Sequence, residues 1–281
     1  MTVSSHAKIN LGLHILRKRE DGYHDIDTVF HRIGMADRVT LRRAEHGIRC
    51  LCSDPTIPTD ERNLCVRAAR SLLDATGNDA GVVIDLEKTI PAGAGLGGGS
   101  SNAAAVLRAL PALLSIDIAE DDLFRIAAGL GSDIPYFLHP GSAHATGRGE
   151  RLSYFALEVP YWILVTVPPV HVSTAWAYGA LSIDPSLPIR NIRTLLSDNI
   201  HNARALVNTL RNDFEPVVFA AYEEVMRTKE ILVRTGADFA LMSGSGAAVF
   251  GLFADEAYAR EAADFFAKRY PVSLTPPGHT V

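Results

Sequence analysis

Cysteine is scarce in this chain. Its three residues, Cys50, Cys52 and Cys65, leave one unpaired in any disulfide scheme. Cys50 and Cys52 form a C-x-C pair without a second pair to complete a zinc site, so all three read as small apolar residues. Long apolar runs are missing too, and none approaches the roughly 20 residues of a membrane-crossing helix. The N-terminus shows no apolar stretch followed by a cleavage site, which leads to the expectation of a soluble cytoplasmic protein. An excess of positive charge is also lacking. A net charge of −5 and a pI near 6.1 argue against a broad nucleic-acid or anionic-membrane surface, though they leave room for a local basic pocket. There is no internal repeat and no low-complexity tail. Hydrophobic residues make up 47% of the 281, enough for a full core and for two modest domains.

Glycine is abundant in one place. Residues 91–104 read Pro-Ala-Gly-Ala-Gly-Leu-Gly-Gly-Gly-Ser-Ser-Asn-Ala-Ala. An alternating run, Val82, Ile84 and Leu86, comes before it, and a helical run from Ala103 to Leu107 comes after. The order is strand, glycine loop, helix, with Ser100 or Ser101 expected at the helix start as the N-cap. A glycine turn can be only a tight connection. This one has nothing charged and nothing larger than Leu96 between Gly93 and Ser101, which favours a backbone cradle for an anion at a helix N-terminus. No Lys precedes the serine pair, so it is not the nucleotide-binding P-loop. Residues 1–90 precede it, so it is not a dinucleotide fingerprint on a first strand–turn–helix unit either.

The rest of the chain divides by periodicity. Residues 2–16 alternate as a strand, with a turn over 17–23 around Asp21-Gly22, and strands are predicted over 25–33, 37–43 and 48–52. A helix is predicted over 63–76, capped by Asn63 and stopped by Gly77. Further helices are expected near 101–114 and 120–130, the second broken by Gly131-Ser-Asp-Ile-Pro135. A buried-type strand follows over 159–167. Helical patterns over 174–181, 191–208 and 215–235 precede strands at 238–242 and 247–253, a helix at 255–269 and a strand at 271–275. The fold class is α+β, and the second half reads as a split βαβ unit of ferredoxin-like type. The expected domains are residues 1–158 and 159–281.

Candidate chemistry lies in four short stretches. Lys8 sits in a small polar group with Ser5, His6, Asn10 and Gly12 on an otherwise apolar strand. Asp133 precedes the apolar stretch Ile134 to Phe137, as a turn cap or as a carboxylate that takes or orients a hydroxyl proton. Tyr23 and His24 follow a turn, as ordinary surface or as a stacking and hydrogen-bonding pair for a base. Ser243-Gly-Ser-Gly246 is a hairpin turn or a second backbone cradle.

Taken together, Ala7-Lys8-Ile9-Asn10-Leu11, Pro91-x-x-x-Gly-Leu-Gly-Gly-Gly-Ser-Ser101 and Ser243-Gly-Ser-Gly246 resemble the three motifs of the GHMP small-molecule kinases. Supporting stretches are Arg19-Glu-Asp-Gly-Tyr-His24, Asn63-Leu64-x-Val-Arg-Ala-Ala69, Leu130 to Pro135 and Gly147-x-Gly-Glu150, in order along nearly the whole chain. The resemblance implies a ribosomal S5-like N-terminal β/α domain and a ferredoxin-like C-terminal domain. It implies an ATP-dependent kinase with Mg²⁺, phosphorylating a hydroxyl of a small molecule with a cytidine diphosphate group, in isoprenoid precursor synthesis. It implies no nucleic-acid, membrane or obligate protein partner. Lys8 and Asp133 match the family's catalytic pair. Pro91, Ala92, Gly93, Ala94, Gly95, Leu96, Gly97, Gly98, Gly99, Ser100 and Ser101 match its ATP phosphate loop, with Asn63, Leu64 and Lys88 near the adenosine. Tyr23 and Tyr178 are implied on opposite faces of the cytosine, with His24 at its edge, Trp176 as the alternative second aromatic, and Asn10 and Thr174 as substrate contacts. Protein ligands to Mg²⁺ are not implied, because the helix over 101–114 carries no carboxylate. A homoserine- or mevalonate-type kinase and a silent nucleotide- or sugar-binding regulator are the alternatives.

Overall fold

The computed structural model describes residues 1–183 and 191–280. In chain order the elements are β1 (Thr2–Lys18), β2 (His24–Ala44), β3 (Ile48–Cys52), α1 (Leu64–Thr76), β4 (Gly81–Glu87), α2 (Gly98–Leu114) and α3 (Glu120–Leu130). A short 3₁₀ turn, Pro135–Leu138, leads to β5 (Ser142–Gly147), β6 (Arg151–Phe155) and β7 (Trp162–Thr166). Then come α4 (Thr174–Ala180), α5 (Ile192–Asn199), α6 (Ala203–Thr209), α7 (Glu215–Ala221), α8 (Glu223–Arg234), β8 (Phe239–Met242), β9 (Val249–Phe253), α9 (Glu256–Ala267) and β10 (Val272–Thr275).

The chain forms two compact units, and neither is one continuous stretch. The first comprises residues 1–7, 36–92 and 97–140, the second residues 8–35, 93–96 and 141–281. In the first, β4 pairs antiparallel with the later half of β2, from Arg38↔Glu87 to Ala44↔Gly81, and parallel with β3. Helix α1 packs on α2 and α3. Its boundaries follow local chemistry. The Asn63 side chain accepts a hydrogen bond from the Cys65 N–H, and Gly77 closes the helix at φ 60°, a conformation that favours glycine. Cys65, Val66, Ala68, Ala69, Leu72 and Leu73 make its buried face.

In the second unit the earlier half of β2 pairs with β5, from Ile26↔Gly147 to Phe30↔Ala143, and β5 pairs with β6. A four-stranded antiparallel sheet runs in the order β10-β7-β9-β8. Numbered within the half, that order is 4-1-3-2, which is what a split βαβ pattern produces. Leu164, Phe214, Val218, Leu232, Val249, Phe253 and Phe266 are central in its core.

Several boundaries depart from the periodicity reading. Residues 25–43 form one strand rather than two, because Met35 is buried in line with Ile33 and nothing breaks the backbone between them. The pattern over 191–208 is two helices, α5 and α6, with Asn202 capping the second by accepting from the Ala205 N–H. Residues 215–235 divide at Tyr222, whose φ of −131° and ψ of 80° are not helical. The hairpin β5–β6 lies outside the periodicity reading, with Gly147 and Gly149 at positive φ in its turn. The cysteines form no disulfide among the described residues, and burial pushes the Cys50 thiol up to about 11.

One buried histidine sets a pH dependence. His31 on β2 is buried, with Nδ1 2.8 Å from Ser142 Oγ. Burial, followed by the charge of His279, pushes its pKa down to about 4. The unfolded chain protonates near 6.5 and the folded chain resists, so stability is full above about 6.5 and falls as pH drops toward 4. The loss over that window is about 3 kcal/mol. Urea unfolding of His31→Gln at pH 7 and pH 4.5 should show a flatter dependence than the parent. Parallel curves for the two proteins would rule out His31 as the group responsible.

Candidate active site

The second unit gathers three of the short motifs. Along β1, Lys8 and Asn10 share a face because strand side chains alternate. Lys8 Nζ donates to Asn10 Oδ1 at 2.6 Å and lies 4.6 Å from the Phe30 ring centroid. Asn10 Nδ2 donates to Thr28 Oγ1 at 2.9 Å, and Thr28 donates to the Gly12 carbonyl at 2.6 Å. Lys8, Asn10 and Thr28 are all buried. A buried amine among oriented oxygens is held for chemistry or for an anion rather than for solubility.

Residues 93–96 lie directly on this strand and on the 243–246 turn. The Lys8 N–H donates to the Leu96 carbonyl at 3.0 Å, and the Ala248 N–H donates to the Ala94 carbonyl at 3.1 Å. Ser243 Oγ accepts from the Asn10 N–H and donates to the Gly95 carbonyl at 3.0 Å. The approach is so close that a Cβ on Gly95 would stand 2.2 Å from the Ser243 carbonyl oxygen. Asn212, unremarked in the sequence, holds the turn by donating to the carbonyls of Met242 and Gly244. Thr174 Oγ1 is 2.9 Å from Ser245 Oγ.

The same unit holds the aromatic residues. His24 stacks on Tyr178 with ring centroids 4.7 Å apart and planes at 21°. Phe214 meets Tyr178 edge-on at 86°. Trp176 is turned to Tyr222 instead, so Tyr178 is the aromatic beside His24. The expectation of Tyr23 and Tyr178 on opposite faces of one ring is altered here, because His24 covers a face of Tyr178. Tyr23 is 55% exposed, and the Arg148 guanidinium lies 4.8 Å from its ring centroid. The loop that presents Tyr23 is shaped by Arg19, which pairs with Asp21 and Asp25 at 2.8 Å each and holds both carboxyls below the usual range. Burial, then the charge of Lys18, lowers the His24 pKa. A neutral imidazole offers one donor and one acceptor, which suits a base edge.

The first unit holds the other part of the glycine loop. Helix α2 begins at Gly98, with Gly97 before it at φ 68°, so neither Ser100 nor Ser101 is the N-cap. The first helical bond runs from the Ser101 N–H to the Gly97 carbonyl at 2.8 Å. The N–H groups before it have no carbonyl one turn earlier, and the first turn carries no acidic side chain. This is the electrostatics of an anion site. Ser101 is buried and accepts from Ser5 at 2.7 Å, while Ser100 is only half-buried. Leu64 Cδ1 would lie 3.6 Å from a Cβ on Gly99, and Asn63 caps α1 beside it. Lys88 points its amine inward, to Asp37 and to Asn102 Oδ1 at 3.0 Å. Asp133 stands in the turn after α3, anchored by buried Ile134, Pro135, Tyr136 and Phe137. The sequence reading did not single out Asp37, Asn102, Asn212 or Arg148, since their partners lie far away in the chain. No group of three or more His, Cys, Asp or Glu able to hold a metal exists among the described residues.

Comparison with known proteins gives the family. The family model described as GHMP kinases N terminal domain matches residues 63–141, and that described as GHMP kinases C terminal matches 191–272. A 4-diphosphocytidyl-2-C-methyl-D-erythritol kinase of Chlorobium phaeobacteroides (strain BS1) is 44% identical over 283 residues, covering 100% of this chain and 99% of that protein. One from Chlorobium phaeovibrioides (strain DSM 265 / 1930) is 45% identical over 284 residues, covering 100% and 97%. A crystal structure of 4-(cytidine 5'-diphospho)-2C-methyl-D-erythritol kinase superposes with a TM-score of 0.85 at 36% identity, covering 99% of this chain and all of that one. A homoserine kinase from Cytophaga hutchinsonii shares the fold at a TM-score of 0.73 and 18% identity, covering 100% and 97%. With both family models matched in order and relatives alike from end to end, this chain belongs to the GHMP kinases, in the 4-diphosphocytidyl-2-C-methyl-D-erythritol kinase family.

Proposed function

We propose that this protein transfers the γ-phosphoryl group of ATP to the 2-hydroxyl of 4-diphosphocytidyl-2-C-methyl-D-erythritol, in non-mevalonate isoprenoid precursor synthesis. The observation that carries this reading is end-to-end identity with enzymes of that name, 44% over 283 residues. Residues 1–158 and 159–281 are the proposed domains, and each family model falls inside one of them. Residues 91–101 form the proposed ATP phosphate loop. Asn63 and Leu64 lie near the adenosine. Asp133 takes the hydroxyl proton, the oxygen attacks the γ-phosphorus, and the bond to the β-phosphate oxygen breaks to release ADP. Lys8 stabilises charge on the reacting oxygens. Mg²⁺ would supply charge neutralisation when bound, with Ser100 or Ser101 the proposed protein hydroxyl near it. The first turn of α2 offers no acidic ligand.

The cytosine is proposed to stack on Tyr23, with His24 reading its edge and Tyr178 backing His24. Asn10 and Thr174 face the rest of the substrate. No nucleic acid, membrane or obligate protein partner takes part, and the reaction is placed in the cytoplasm. No helix among the described residues is long and apolar enough to cross a membrane.

The test is ATP turnover on the cytidine diphosphate substrate, in parallel with mevalonate and homoserine. Turnover on either aliphatic alcohol but not on the cytidine compound would overturn the assignment, and no turnover on any would favour a silent regulator. Base stacking contributes about 1–3 kcal/mol, so Tyr23→Ala should raise the cytidine substrate KM about tenfold to a hundredfold. The uridine analogue should be clearly poorer, since an unmatched buried polar group costs about 1–3 kcal/mol. An unchanged KM in Tyr23→Ala would remove the stacking role, and equal kcat/KM for the two bases would remove the edge-reading role of His24.

A further inference from the structure

We propose that Asp37 is a positioning residue for ATP, a buried carboxylate that fastens both ends of the phosphate loop. The inference rests on the reading of residues 91–101 as that loop. Asp37 is 1% exposed, on the later half of β2. Its Oδ1 accepts the backbone N–H of Thr89 at 2.6 Å and of Ile90 at 2.8 Å, the last two residues before the loop. Its Oδ2 accepts from Lys88 Nζ, and from Asn102 Nδ2 at 2.9 Å in the first turns of α2, where the loop ends. Lys88 Nζ closes the ring by donating to Asn102 Oδ1 at 3.0 Å. Asn102 Nδ2 also donates to Ser5 Oγ at 2.9 Å, and Ser5 donates to Ser101 Oγ at 2.7 Å.

Four N–H donors thus fill the acceptor capacity of one carboxylate. Two precede the loop, one follows it, and the fourth is the amine that neutralises the buried charge. The connection reaches the amides themselves. A Cβ on Gly98 would meet Ile90 Cγ2 at 2.8 Å, so the first residue of α2 rests directly on Ile90, whose N–H Asp37 holds. Moving Ile90 moves the helix start. Lys88 accordingly acts behind the loop, through Asp37, rather than on the nucleotide. Such an arrangement restrains the N–H groups before ATP arrives, so less ordering is left to binding.

Calorimetry with the non-hydrolysable analogue AMPPNP and with cytidine diphosphate tests this on the whole chain. Asp37→Asn puts an amide against the Lys88 amine, and Asn102→Ala removes the fastening after the loop while leaving the Asp37–Lys88 pair in place. Each should weaken AMPPNP binding about tenfold or more, the scale of a lost charge-assisted hydrogen bond. Cytidine diphosphate affinity should stay within about twofold, well below that scale. In turnover, KM for ATP should rise without a matching rise for the cytidine substrate. If the parent binds AMPPNP and Asn102→Ala binds it equally well, the positioning role is wrong. Equal loss of both ligands with a broadened thermal transition would mean a structural role only, and would also overturn it. If the parent binds cytidine diphosphate but no AMPPNP, the loop assignment itself falls, and this inference with it.

Discussion

Asp133→Asn is expected to keep AMPPNP affinity and to lower turnover by at least about a hundredfold, the low end for removing a general base. The substitution preserves size and removes the negative charge. Asp133 stands at the end of a turn whose next four residues are buried, so the backbone has little reason to move. The loss should therefore appear in kcat rather than in nucleotide binding. Lys8→Ala should match it in kcat by a different route. It removes a buried cation whose amine donates to Asn10 and lies over Phe30, so some stability is lost along with charge at the reacting oxygens. Lys8→Met keeps the volume and separates the two effects. Steady-state kinetics with both substrates, and AMPPNP calorimetry on the same preparations, make the measurement. Near-normal kcat in Asp133→Asn and in Lys8→Met would take both residues out of the mechanism.

Gly95→Ala is the second large effect expected. Gly95 has φ 80°, where a side chain is strained, and its Cβ would overlap a backbone oxygen rather than a flexible side chain. Ser243 cannot yield easily. Its hydroxyl holds the Gly95 carbonyl and accepts from Asn10, and Asn212 holds the carbonyls of Met242 and Gly244 on either side. Strain of this conformation costs about 1–3 kcal/mol, and overpacking a closed site costs a similar amount. Urea unfolding should show a loss of several kcal/mol, and KM for ATP should rise in whatever fraction folds. The contrast is Gly22→Ala. Gly22 also has positive φ, but a Cβ there meets nothing within 4 Å, so only the conformational cost remains. If Gly95→Ala proved no worse than Gly22→Ala, the close approach of the two glycine turns would have no energetic weight.

The two variants mark where the sequence was readable. Gly95 was legible as part of a glycine loop before a helix, because five glycines in nine residues have few other uses. Its collision partner was not legible, since Ser243 lies 148 residues away. The helix start was misread for a local reason. Serine is a favoured N-cap, yet Gly97 in a left-handed conformation begins the helix and places Ser101 inside it, against Ser5. Tyr23 and His24 were recognisable as a pair after a turn. That His24 would stack on Tyr178 depended on how α4 docks in its unit, and periodicity does not record docking.

By itself the sequence determined what local physics determines. Asn63 and Gly77 bound α1 because a side-chain acceptor and a left-handed glycine satisfy helix ends wherever they occur. Alternation along 2–16 set the face of Lys8 and Asn10, and the order of strands and helices after residue 159 set a ferredoxin-like sheet. The ordered motifs were specific enough to name a kinase family. The tertiary structure alone decided which distant residues share a polar centre. Asp37 meets Ile90 and Asn102 across 53 and 65 positions, and Asn212 meets Met242 and Gly244 across 30 and 32. Such partners are chosen by burial: once packing takes a carboxylate or an amide out of water, it must be paired with whatever donors the fold brings near, and no local pattern announces them.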